Sequence, residues 1–139
     1  MNRQKVILYV EDQPLKTRIK MLEDEGYKII VARDGTASLD CLRKESIDLI
    51  LLDIMMPPGD KLNIENAREG FATGVVFTRE IKMHDEWKDI PIIVITANPD
   101  RDVERELTEL GVSKYFKKPV TQSELEEAIK ECLEGKSDA

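Results

Sequence analysis

Apolar and polar positions follow two alternating rhythms along the chain. Short apolar runs at Val6–Val10, Lys28–Ala32, Asp48–Leu52, Ile92–Thr96 and Tyr115–Lys117 are separated by longer stretches in which apolar residues recur every three or four positions. Four of the runs are nearly unbroken, which predicts strands buried on both faces of a parallel sheet. The longer stretches predict amphipathic helices. Leu15, Ile19 and Leu22 share a face of the first, Val103, Leu107 and Leu110 a face of the fourth, and Leu125, Ile129, Cys132 and Leu133 a face of the last. Pro14 and Pro99 stand where a first helical turn tolerates proline, and Gly26, Gly111 and Gly135 stand where helices end. Thr121 to Glu124 reads as a capping box, with Val120 and Leu125 as its hydrophobic staple. The expectation is an α/β fold, strands and helices alternating five times, in one domain over residues 1–134 with 135–139 as a tail.

One stretch breaks the rhythm. Residues 54–73 read as an extended loop between the third strand and the third helix; its segment 57–73 carries Gly, Pro and Asn with three isolated apolar residues, Leu62, Ile64 and Phe71. Loops in such units usually span 2–6 residues, so this one asks for a role of its own.

Charge narrows the function. Over 139 residues, 21 Lys and Arg face 28 Asp and Glu, a net charge of −7. That argues against nucleic acid as a direct partner. No apolar run nears the ~18 residues of a membrane helix, and the start turns acidic too soon for a signal peptide. The expected location is the cytoplasm, with no membrane partner. Cys41 and Cys132 form no metal-binding spacing and read as reduced helix residues.

Polar residues collect directly after the apolar runs. Glu11 and Asp12 follow the first, Asp53 the third, Thr96 ends the fourth, and Lys117, Lys118 and Pro119 close the fifth. In open parallel sheets, ligands bind at the carboxyl ends of strands. Three carboxylates converging there would repel by about 3 kcal/mol per pair at ~5 Å and an effective dielectric of ~20. Either one is protonated or a cation sits among them. Hard oxygen donors in this number suit Mg²⁺. Cation, ammonium and hydroxyl around a carboxylate make a cradle for a phosphoryl group, and carboxylates can accept one as nucleophiles.

The pieces VILYVED, LILLDIMMPP, IPIIVITA and YFKKP, in this order and spacing, resemble the receiver domain of bacterial two-component response regulators across nearly the whole chain. The resemblance implies a flavodoxin-like, doubly wound five-stranded sheet of order 2-1-3-4-5 with five helices. It implies Asp53 as phosphoacceptor, Glu11 and Asp12 with Asp53 as Mg²⁺ ligands, and the Met55 backbone carbonyl as a further ligand. Thr96 and Lys118 would contact the phosphoryl group. Lys118-Pro119 would be cis, and Tyr115 would be the switch aromatic moving with Thr96. The implied donor is a sensor histidine kinase or a histidine phosphotransfer protein, docking near Pro14, Leu15, Arg18, Val120 and Thr121. The implied output is a conformational switch on the face of the fourth helix, fifth strand and fifth helix, where the fourth helix's alternating charges could hold a homodimer. Such a protein catalyses only its own phosphorylation and dephosphorylation and is not an enzyme in the ordinary sense.

Departures from the pattern carry expectations too. Gly74 takes the place of a glycine that usually lies closer to the acceptor, so the loop is longer by about a dozen residues and reads either as a plain solvent loop or as a lid or donor filter. Met55 and Asn98 occupy the two positions that tune phosphate lifetime in the family, and at the first of them Met55 is neither the acid nor the amide that would readily orient an attacking water. Slow self-dephosphorylation follows. Lys117, His84 and Trp87 read as a solvated neighbour, a surface residue and a packing residue at the sheet's other edge. Whether the chain stands alone or belongs to a longer protein stays open.

Rival readings fail on particular residues. A haloacid-dehalogenase-like phosphatase needs a second Asp two positions after the nucleophile, where Met55 stands. A nucleotide-binding module needs a glycine-rich phosphate loop, which is lacking. The alternative kept is a receiver-fold module for protein–protein interaction that no longer uses phosphate.

Overall fold

The computed structural model describes residues 3–55, 59, 69–97 and 99–137. Its strands are β1 (Val6–Val10), β2 (Lys28–Ala32), β3 (Leu49–Asp53), β4 (Ile92–Thr96) and β5 (Lys114–Lys117). All pair in parallel, in the order β2-β1-β3-β4-β5. The helices are α1 (Lys16–Asp24), α2 (Gly35–Lys44), α3 (Glu69–Met83), α4 (Arg101–Leu110) and α5 (Gln122–Ser137).

The unbroken apolar runs have a direct cause. Successive strand residues point to opposite faces, and both faces are covered. Leu8, Val10, Ile50, Leu52, Ile92 and Val94 join Leu39, Leu42, Phe77, Ile81 and Leu107 of α2, α3 and α4 in one core. Ile7, Tyr9, Leu49, Leu51, Ile93 and Ile95 join Leu22, Leu125, Ile129 and Leu133 of α1 and α5 in the other. Among the described residues no helix is long and apolar enough to cross a membrane.

Several boundaries differ from the sequence expectation. β3 is shifted by one residue, with Asp48 just outside it in an ion pair with Arg3, and β5 starts one residue earlier. α3 begins at Glu69 rather than at Gly74, so the loop expected over 54–73 ends before 69. Gly74 is a point of close approach inside the helix. A Cβ there would lie 2.3 Å from Ile54 Cγ1 and 2.7 Å from the Ile54 carbonyl oxygen. α5 runs through Gly135 to Ser137, which overturns the expected tail start; the low helix propensity of one glycine near a helix end does not stop the helix. Pro14 and Pro99 precede the N-caps Leu15 and Asp100 instead of entering the first turn. The Asp100 side chain accepts from the N–H groups of Asp102 and Val103 and so fixes the N-cap of α4 one residue beyond the proline. The capping box holds as read: Thr121 N–H donates to Glu124 at 3.1 Å and Glu124 N–H to Thr121 Oγ1 at 3.1 Å.

Candidate functional site

Strand register assembles the site. β1 pairs with β3 so that Val10 faces Leu52, and β3 with β4 so that Asp53 faces Ile95. Glu11, one step past β1, therefore comes level with Asp53 at the end of β3. Thr96 faces Lys117, and the next residue, Lys118, donates its backbone N–H to the Thr96 carbonyl at 2.7 Å. The Lys118–Pro119 bond is cis, as the resemblance implies.

The Lys118 ammonium bridges two buried acids, at 3.0 Å from Asp53 Oδ2 and 3.1 Å from Glu11 Oε1. The other Asp53 oxygen, Oδ1, accepts the Met55 N–H at 2.9 Å. Thr96 is fully buried at the adjoining strand end. One ammonium cannot neutralise two carboxylates. Burial, together with the hydrogen bond to Asp53 and its charge, pushes the Glu11 carboxyl up from 4.5 to about 7, against the opposing pull of Lys118. Burial alone would lower Lys118, but Asp53 and Glu11 hold its ammonium above the ordinary lysine value.

Of the residues expected here, the structure brings Glu11, Asp53 and Lys118 into contact and sets Thr96 beside them. Asp12 is half-buried, and its carbonyl accepts from Arg33 Nη1 at 3.2 Å. It does not complete a group of three acids close enough to hold one metal ion among the described residues. The donor chemistry still fits a hard divalent ion. Mg²⁺ needs one or two carboxylates and keeps several waters, Glu11 and Asp53 supply two, and the raised Glu11 value marks surplus negative charge that a cation would relieve.

Tyr115 is half-buried against the α2–α3–α4 core with its hydroxyl buried, and burial raises its pKa. Lys117 is exposed, as read. Trp87 is buried at the amino edge of the sheet and His84 lies on its ring, 4.2 Å between centroids. Asn98 and residues 60–68 of the long loop fall outside the described residues. Sequence reading missed the Met55 N–H bond to Asp53 and the Arg33 bond to Asp12. Both use backbone groups, which leave no signature in residue type.

The family model for the response regulator receiver domain matches residues 7–130. The chain belongs to the receiver domain family. It is 30% identical over 131 residues to the polar-differentiation response regulator DivK of Brucella anthropi, covering 93% of this chain and 96% of that protein. Among solved structures, a CheY-like receiver domain protein of Methanospirillum hungatei superposes with a TM-score of 0.81 at 25% identity, covering 98% of each chain. A receiver from Clostridium thermocellum gives 0.77 at 27% identity, over 95% of this chain and 96% of that one. The receiver fold, expected from the four matched pieces, is thus present from β1 to α5.

Proposed function

We propose that this receiver takes a phosphoryl group onto Asp53 from a sensor histidine kinase or histidine phosphotransfer protein, with Mg²⁺ held by Glu11, Asp53 and the Met55 carbonyl and by Asp12 once its side chain turns to join them. The observation that carries this reading is the Lys118 ammonium shared between Asp53 and Glu11, with Thr96 at the next strand end.

An Asp53 carboxylate oxygen attacks phosphorus. The new O–P bond forms as the donor's N–P bond breaks, and the donor imidazole leaves with its electron pair. The Met55 N–H holds Oδ1 and so orients the carboxylate. Lys118 exchanges its carboxylate contacts for a phosphoryl oxygen, and the Thr96 hydroxyl donates to another. Bound Mg²⁺ supplies positive charge against the phosphoryl oxygens. Because the Lys118 N–H is bonded to the Thr96 carbonyl, a shift of Thr96 is passed to β5 and Tyr115, and from there to the α4–β5–α5 face, which signals or pairs two copies. Self-dephosphorylation is slow, because the Met55 side chain cannot orient an attacking water. The expected place of action is the cytoplasm.

The deciding experiment is intact-protein mass after incubation with acetyl phosphate, with and without Mg²⁺. One phosphoryl group gained only with Mg²⁺, and lost in Asp53→Asn, supports the reading. No gain in wild type leaves either a loop that closes the site to small donors or the interaction module, and no gain in the chain lacking residues 61–72 as well overturns the reading.

A further inference from the structure

The turn after β1 is fastened from the edge strand. Val10 pairs with Ala32, and the pairing runs one residue past β1: the Glu11 N–H donates to the Ala32 carbonyl at 3.0 Å. Arg33, the residue after β2, therefore comes level with the turn, and its Nη1 donates to the Asp12 carbonyl at 3.2 Å. A guanidinium beside acids ordinarily takes a carboxylate, because the charge-assisted bond is the stronger one. Here the acid next to it in the chain, Asp34, is occupied in capping α2, where it accepts the Ala37 N–H at 2.7 Å. Among the described residues Arg33 forms no ion pair, and the Asp12 carboxylate has neither a hydrogen bond nor an ion pair.

The rest of the turn is tied down as well. Glu11 Oε1 accepts from Lys118, and Glu11 Oε2 accepts the Gln13 N–H at 3.4 Å. The backbone from Glu11 to Gln13 is thus held at three points, and only the Asp12 carboxylate is left loose. Anchoring the backbone fixes the direction in which the Asp12 side chain leaves the chain. Its carboxylate then has only side-chain torsions to lose on joining a site, which lowers the entropic cost of binding there. The charge of Arg33 acts in the other direction, since a guanidinium nearby repels a bound cation. The two effects have opposite signs and can be separated.

We infer that Arg33 is a positioning residue of the cation site: by holding the Asp12 carbonyl, it presents the Asp12 carboxylate to the Glu11–Asp53 pair. The inference rests on the Mg²⁺ site of the proposed function. Arg33 acts through Asp12 and takes no part in the phosphoryl transfer itself. Its anchoring effect outweighs its repulsion of the cation, because the guanidinium is exposed and its charge is screened by water and salt, whereas the hydrogen bond acts on the turn directly.

The test is calorimetric titration of the full, metal-free chain with Mg²⁺. Arg33→Ala is expected to weaken binding by about threefold to tenfold, the worth of one hydrogen bond, although it removes a like charge. Arg33 is exposed, so the thermal midpoint should stay unchanged. In an Asp12→Asn background the same substitution should bring no further weakening, because Arg33 acts through that carboxylate. With acetyl phosphate as donor, the Mg²⁺ concentration for half-maximal phosphorylation should rise by the same factor, and the rate at saturating Mg²⁺ should not change. Unchanged or tighter Mg²⁺ binding in Arg33→Ala overturns the inference, and so does a loss that persists in Asp12→Asn. Binding lost in Glu11→Gln but kept in Arg33→Ala overturns the role of Arg33 alone. No Mg²⁺ binding in wild type overturns the site of the proposed function and this role with it.

Discussion

β3 carries a buried aspartate at each end, and the two live in opposite electrostatic worlds. Asp48, just before the strand, is 9% exposed; Asp53, its last residue, is 7% exposed. Asp48 receives both arms of the Arg3 guanidinium and the Val6 N–H at 2.8 Å. Burial would raise its carboxyl, but these donors outweigh it and hold the pKa below the ordinary value. Asp53 must share its one ammonium with Glu11, and the strain of that sharing appears as the raised Glu11 carboxyl. The residue type, strand and burial are the same. What differs is whether donors match acids, and on the proposed function that separates a structural carboxylate from a reactive one.

The comparison breaks most visibly in paired substitutions. Asp53→Asn should abolish phosphorylation by acetyl phosphate in a mass measurement and leave the thermal midpoint no lower than wild type, because it removes one of two crowded charges. Asp48→Asn should do the reverse. It should keep phosphorylation and lose about 1–3 kcal/mol in urea unfolding, because Arg3 loses its charged partner and one of the two accepting oxygens becomes an NH₂ donor facing other donors. If both variants fell in stability alike, the contrast between the two ends would be wrong.

Lys118→Ala should slow phosphorylation by about a hundredfold or more, the usual cost of removing one preorganised charge at such a site. Discontinuous mass sampling over time suffices to measure it.

A smaller effect comes from pH. The Glu11 carboxyl is raised from 4.5 to about 7 on folding, so the folded chain holds that proton more tightly than the unfolded one. The stability this gives is fully present below pH 4.5 and is lost as pH rises through 7. Asp48, lowered on folding, has the opposite sign: its contribution is present above its unfolded pKa and is lost as acid carries pH down through the folded one. Urea midpoints of metal-free protein should therefore decline between pH 5 and 8 through Glu11, and Glu11→Gln should flatten that decline. On the proposed function Mg²⁺ would compete for the same oxygens. Its affinity, by titration calorimetry, should rise with pH up to about 7, at most tenfold per pH unit for one proton.

The smallest effect expected is at Gly74. Gly74→Ala sets a methyl against the Ile54 side chain and carbonyl, which should cost about 1–3 kcal/mol and slow phosphorylation less than Lys118→Ala does. A normal rate with lowered stability would mean that the turn after Asp53 relaxes without moving the acceptor.

Much of this was readable in the residues. β1, β2 and β4 fall where the apolar runs lie, because strands buried on both faces leave an unambiguous signal. Glu11, Asp53, Thr96 and Lys118 were readable as strand-end polar residues, since parallel strands bring all carboxyl ends to one edge. Gly74 misled because glycine marks both a helix boundary and a close approach, and only the position of Ile54 distinguishes them. Asp48 was read as a strand residue because its partner Arg3 lies 45 positions away. The separation of Asp12 from the Glu11–Asp53 pair depends on the backbone turn after β1, which residue types do not encode.

The Lys118 bridge also bears on how the protein is made. Glu11 and Lys118 are 107 positions apart, and Asp53 and Lys118 are 65 apart. During synthesis both acids leave the ribosome long before the ammonium that balances them. A nascent chain that has built β1 and β3 but not yet β5 holds an unbalanced acidic pair and lacks the Lys118 and Thr96 contacts. On the proposed function, phosphoacceptor competence would then await the docking of β5, and a truncated chain lacking that strand would take no phosphoryl group.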